Sequence, residues 1–140
     1  MIETILLILV LLFSVIMHEC AHGIAALWCG DPTARDQGRL TFNPLKHIDP
    51  FGTVVFPILL RWLGFFPIGW AKPVPVNFSR LRHPKRDMLW VGLAGPLANI
   101  GLALLAAGLF QFKGMLPHRA DSFLEMVTAI NLMLAVFNLI

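Results

Sequence analysis

His18-Glu19-Cys20-Ala21-His22 sits inside a run, Ile2–Trp28, that is otherwise almost wholly apolar apart from Glu3. On an α-helix, positions 18 and 22 are one turn apart, so both imidazoles project from one face and can grip a single metal ion. Glu19 stands beside them, where a carboxylate can take a proton from a water that the metal has acidified. Cys20 points to roughly the opposite side at about 100° per residue and is not counted as a ligand. The competing arrangement is a structural cluster, two histidines bridged by Glu19. Ionisable groups in a membrane-length apolar helix are costly and mark functional sites, so the metal reading is preferred.

The composition agrees with a membrane setting. Of 140 residues, 57% are hydrophobic and only 14% are charged. With several long apolar runs, this predicts an all-α integral membrane protein folded as one unit over 1–140. The net charge of +3 is modest. Its basic residues gather in one loop, which suits a membrane surface and argues against nucleic acid as a partner. Cys20 and Cys29 would lie about 13 Å apart on a helix, too far for a disulfide. The N-terminus lacks the basic region of a secretory signal, so the first run is read as a retained helix.

The expected architecture is three core transmembrane helices, a re-entrant or hairpin segment, and short β or extended loops. Helix 1 covers residues 3–28 and ends at Gly30-Asp31-Pro32, where Gly permits a cap and Pro cannot continue a helix. Ser14, Ala25 and Ala26 on its metal face would let another helix come close. Residues 38–42 form a candidate short strand. His47 and Asp49 could serve a metal or substrate, but a role in loop geometry or capping is favoured. Residues 51–70 are apolar but broken by Pro57, Arg61, Gly64, Pro67 and Gly69, which fits an excursion better than a straight crossing. Residues 72–77, with prolines at 73 and 75, should be extended; they read equally well as a rigid linker or as an edge for an unwound peptide. Helix 2 covers residues 88–112, rich in Gly and Ala for close packing, with Asn99 as an interhelical hydrogen-bonding amide. Helix 3 starts near 123. Trp28, Trp70 and Trp90 near segment ends suit interfacial anchoring.

Taken together, these pieces resemble the site-2 protease family of intramembrane zinc metalloproteases, in particular its short prokaryotic branch without a PDZ domain. The resemblance rests on His18-Glu19-Cys20-Ala21-His22, Asn43-Pro44 with His47-Ile48-Asp49-Pro50, residues 69–77, Ala94-Gly95-Pro96-Leu97-Ala98-Asn99, and Phe137-Asn138-Leu139-Ile140, in family order. It implies that His18 and His22 bind Zn2+, that Glu19 is the general base, and that Asn138 helps hold the substrate or its oxyanion. The family's third ligand is an aspartate in a motif following the Phe137–Ile140 stretch, so the expectation is a metalloprotease core incomplete at its C-terminus, with Asp49 or a partner chain as the only substitutes.

Topology gives a separate expectation. For His18, His22 and Asn138 to meet at one depth, helices 1 and 3 must run the same way. Residues 31–50 and 71–87 then share one face, and 51–70 must enter and leave by it. The positive-inside rule puts that face, with Lys72, Arg80, Arg82, Lys85 and Arg86, in the cytoplasm. The predicted function is an intramembrane zinc endopeptidase of the cell membrane acting on membrane-anchored proteins, with a homo-oligomer left open. Its rival is a non-catalytic truncated homologue that binds transmembrane helices or zinc without hydrolysis. An ion transporter is disfavoured by the scarcity of polar residues along the helices.

Overall fold

The structure is a computed structural model, and it describes residues 2–65, 70–112 and 120–139. Three long helices form it: α1 (Ile2–Trp28), α4 (Pro84–Phe110) and α5 (Ala120–Phe137). Between α1 and α4 lie the single-turn α2 (Thr33–Asp36), a 3-10 turn (Pro44–Lys46), a π-helical stretch (Pro50–Val55) running into α3 (Phe56–Trp62), and a second 3-10 turn (Phe78–Arg80). All three long helices are apolar enough to cross a membrane, and only 28%, 28% and 22% of their most apolar windows are buried inside the bundle. Ile8, Leu104, Leu105 and Leu132 all face outward. A surface of that kind is compatible with hydrocarbon, not water.

Helix α4 packs against both α1 and α5. It runs antiparallel to α1, for His22 meets Val91 while His18, one turn back, meets Asn99 further along α4. Helix α5 runs parallel to α1, since Ser14 meets Asn131 and Asn138 lies beside His18 and His22. The loop ends of α1 and α4 are tied together where Arg82 N–H donates to Cys29 C=O at 3.0 Å. Ala26, Leu81 and Val91 pack beneath that tie, flanked by Ala25, Cys29 and Val76. Trp70 lies against the Pro50–Val55 stretch: its N–H donates to Gly52 C=O at 3.2 Å, and its C=O accepts from the Thr53 hydroxyl at 2.8 Å. Gly52 permits this contact, because a Cβ there would run into the Trp70 indole.

Two expectations need correction. Among the described residues there is no strand. Gly38-Arg39-Leu40-Thr41-Phe42 fails as one because its first amides close α2: Gly38 N–H bonds Arg35 C=O and Arg39 N–H bonds Ala34 C=O, both at 2.9 Å, with Gly38 at φ +62°. That is a Schellman cap, and it consumes the donors a ladder would need. Residues 72–77 are extended but unladdered. Lys72 N–H goes to His47 C=O, Val74 N–H to Glu19 and Asn77 N–H to Asp31, while Pro73 and Pro75 have none to give. The second correction concerns α4, which starts at Pro84 and not near 88. Proline fits a first helical turn, and the Asp87 carboxylate, four residues on, accepts from the N–H of the N-cap residue His83 at 2.8 Å. The small residues of α4 also divide unequally. Gly95 is in close contact, whereas a Cβ on Gly92, Gly101 or Gly108 would meet nothing within 4 Å.

Asp31 fastens the loop layer to α1. It is fully buried; Oδ1 accepts from Thr33 N–H at 3.0 Å and from the Thr33 hydroxyl, and Oδ2 accepts from Asn77 N–H at 2.6 Å. Burial alone would raise its pKa, but these donors, with Arg80 nearby, outweigh it and hold the carboxyl below the ordinary value. A depressed folded-state pKa contributes stability that is present above the unfolded value of about 4 and is lost as pH falls through the folded one. Asp31→Asn sets an NH2 group against a backbone N–H and should cost about 1–3 kcal/mol at neutral pH. Thermal unfolding in detergent from pH 7 to 3 should show a lower midpoint at pH 7 and a shallower acid limb in the variant. Parallel curves for the two proteins would contradict this account.

Candidate active site

Helix α1 presents His18, Glu19 and His22 to a cleft of about 440 Å³. The extended 71–77 segment supplies its Pro73, Val74 and Val76 wall, α4 adds Val91 and Gly92, and Asn138, just past the end of α5, stands at its edge. The three α1 residues and Asn138 are therefore brought together. His18 is buried, His22 and Glu19 are half-buried, and Asn138 is exposed, donating from Nδ2 to Leu134 C=O of α5 at 2.7 Å.

Each imidazole is oriented from behind by α4. His22 Nδ1 lies 2.6 Å from Val91 C=O. A carbonyl can only accept, so Nδ1 carries the proton and Nε2 of the neutral ring is a bare lone pair. His18 Nδ1 lies 2.9 Å from Asn99 Oδ1, which orients the second ring in the same sense. The two Nε2 atoms then face one another at 3.0 Å. Two lone pairs at that distance repel unless a cation or a proton lies between them. Turning the Asn99 amide would let His18 donate from Nε2 to His22, so a proton is the alternative to a metal; as placed, Asn99 Nδ2 is buried without a partner. Partners on the outer nitrogen that fix ring and tautomer are what metal-binding histidines use.

Gly95 shapes the point of convergence. It is buried, and a Cβ built on it would collide with Nε2 of both histidines and lie 2.6 Å from His18 Cε1. The space over Gly95 is a cradle that a single methyl would fill. Pro96, buried beside it, has no N–H to give to Gly92 C=O. In that turn of α4 the neighbouring carbonyl of Val91 is the one His22 uses.

Glu19 does not bridge the histidines. Its Oε2 accepts from Val74 N–H at 2.8 Å, and its side chain lines the cleft. The histidine pair and its donor set fit a metal ion, and among the described residues two protein ligands converge there. Among the described residues no third His, Cys, Asp or Glu joins them. Asp49 does not substitute: it is the N-cap of the Pro50–Val55 stretch, accepting from Gly52 N–H at 2.6 Å. His47 is likewise a loop residue, buried with Nε2 on Thr41 C=O at 2.8 Å. Both therefore have the geometric roles favoured from sequence. Cys20 and Cys29 are free thiols, and Cys20 faces Thr41 C=O.

Sequence reading missed Gly95, the Val91 carbonyl and the Val74 amide. The last two are backbone groups that no side-chain pattern advertises. Gly95-Pro96 inside an apolar helix was the available signal for a close approach. Asn99 was read as an interhelical amide, and it is one, with His18 as its partner.

Fold and site together define a membrane protein whose apolar helices carry an imidazole pair and a carboxylate in an open cleft. No protein-family model matches the chain, and no solved structure matches it. It is similar to the protein named "Putative zinc metalloprotease YwhC" of Bacillus subtilis, with 39% identity over 96% of this chain and 62% of that protein. It is also similar to proteins named "Putative zinc metalloprotease Rip2": 37% identity in Mycolicibacterium smegmatis, over 70% of this chain and 37% of that protein, and 32% in Mycobacterium tuberculosis, over 67% and 35%. The chain thus spans about three fifths of the first relative and just over a third of the others.

Proposed function

We propose that the cleft is the hydrolytic centre of a zinc-dependent endopeptidase of the site-2 protease type, cutting membrane-anchored proteins within their transmembrane segments. The observation that carries this reading is the convergence of His18 Nε2 and His22 Nε2 at 3.0 Å over Gly95, with both Nδ1 atoms committed elsewhere. The names of the relatives support zinc and proteolysis.

His18 and His22 would hold the ion through Nε2. Zinc, when bound, supplies Lewis acidity toward water and toward the scissile carbonyl. Glu19 takes the proton of the attacking water and delivers it to the departing nitrogen. The Asn138 side-chain amide, at the cleft edge, donates toward the developing oxyanion. A helical peptide bond is screened and already hydrogen-bonded, so a substrate must unwind first. The 72–77 segment can receive it: among the described residues Val76 N–H has no partner, and an extended chain can pair along that edge. Arg80, Arg82, Lys85 and Arg86 gather where α1 stops and α4 starts, and with Lys72 on the connecting loop they support a cytoplasmic location for that end. On this reading the 51–70 stretch enters and leaves by that same face, which the bond from Trp70 N–H to Gly52 C=O supports.

By resemblance, the family's third ligand is an aspartate that follows a Phe-Asn-Leu-Ile stretch such as Phe137–Ile140. Zinc content and cleavage of a membrane-anchored reporter should therefore be measured on residues 1–140 and on the chain extended past 140. The extended form should hold one zinc, shift the His18 and His22 Nε2 resonances on metal addition, and lose cleavage when chelated. Unchanged cleavage after complete zinc removal, or a proton shared between the two Nε2 atoms in the presence of zinc, would overturn the proposal.

A further inference from the structure

Beside the cleft, with Pro73 lining both, the loop layer contains a second pocket of about 400 Å³. Arg39, Lys46, Lys72 and Gln37 line it together with apolar Leu45 and Ile48, and no carboxylate does. Arg39 is the unusual member, since only 8% of it is exposed. Its Nη2 donates to Lys72 C=O at 2.9 Å and to Pro73 C=O at 3.1 Å. Its Nε is buried without any partner. The one ion pair among the described residues joins Arg35 to Asp36, so no acid neutralises Arg39. A buried guanidinium facing only carbonyl dipoles is under-compensated. Two lysines at the rim of the same pocket add to the positive potential, and neither ammonium group makes a hydrogen bond or ion pair among the described residues.

We propose that this pocket binds a phosphate anion, and that its source is the headgroup of an anionic phospholipid. Guanidinium and ammonium groups converging on one concavity match the charge and acceptor oxygens of a phosphate. The apolar side of the pocket argues for a lipid as the source. Leu45 is 74% exposed and Phe42, three residues before it, 65% exposed. Both lie in the loop that follows α1 and α2, so their apolar side chains can enter the bilayer interface while Lys46 stays at headgroup level. The site also bears on the cleft. Arg39 holds the carbonyls of Lys72 and Pro73, and the next residue, Val74, holds Glu19. A bound phosphate fixes Arg39 and, through it, the segment on which Glu19 rests.

The test is lipid retention in detergent, read by native mass spectrometry after exposure to vesicles of phosphatidylglycerol or of phosphatidylcholine; it needs no peptidase activity. One phosphatidylglycerol should stay bound per chain and phosphatidylcholine should not. Lys46→Gln with Lys72→Gln, both exposed positions, should weaken retention roughly 30-fold. Lys85→Gln with Arg86→Gln, exposed and outside the pocket, should leave it unchanged. Equal retention of the two lipids, or full retention by the Lys46/Lys72 variant, overturns the site. Displacement of the lipid by millimolar inorganic phosphate keeps the anion chemistry but overturns the lipid as its source.

Discussion

Replacing Gly95 by alanine should weaken zinc binding by about 100-fold or more while leaving the helices folded. Alanine is the better helix former by about 1 kcal/mol, so α4 itself loses nothing. The methyl, however, falls on the point where His18 Nε2 and His22 Nε2 converge. Neither ring can withdraw freely, because His22 is fixed to Val91 C=O at 2.6 Å and His18 to Asn99 Oδ1 at 2.9 Å. Making room breaks one of those bonds and with it the tautomer that frees Nε2. Loss of an orienting partner alone typically costs 10–100-fold in metal affinity; here the ion's own volume is taken too, so a loss on the order of 100-fold or more is expected. Gly101→Ala is the control, since a methyl there meets nothing within 4 Å. Zinc titration and circular dichroism of the extended chain would separate the cases. Wild-type zinc affinity in Gly95→Ala would show that the ion does not sit between the two Nε2 atoms.

That a glycine on α4 matters so much was not legible from α1, where the pattern stood out. The H-E-x-x-H spacing fixes one face of a helix whatever surrounds it, and the apolar runs fix three long helices within a few residues. The shared direction of α1 and α5 also followed from requiring Asn138 to reach the histidines, and the Ser14–Asn131 bond bears it out. What escaped depended on contacts distant in sequence. Asn131 drew no attention as one amide in an apolar helix, yet it is fully buried against Ser14 of α1. Residues 38–42 have strand-like side chains, but Gly38 and Arg39 amides are spent on capping α2. Alternation cannot reveal that a donor is already taken.

Glu19→Gln is expected to retain zinc and lose hydrolysis. The amide oxygen of glutamine can still accept from Val74 N–H, the bond that Glu19 Oε2 makes at 2.8 Å, so the 71–77 wall of the cleft stays where it is. Neither histidine bonds to Glu19, so the orientation of both rings is untouched. What disappears is the capacity to take a proton from water and return it to the leaving nitrogen, a contribution of about 10²–10⁴ in rate. Cleavage of a membrane-anchored reporter should fall by that factor at unchanged zinc stoichiometry. Glu19→Ala distinguishes this from a purely structural role. It removes both the base and the Val74 anchor, so protease sensitivity of the 71–77 segment should rise in the alanine variant and not in the glutamine one. If glutamine sustains the normal rate, Glu19 is an anchor for the extended segment and the proton must travel by another group.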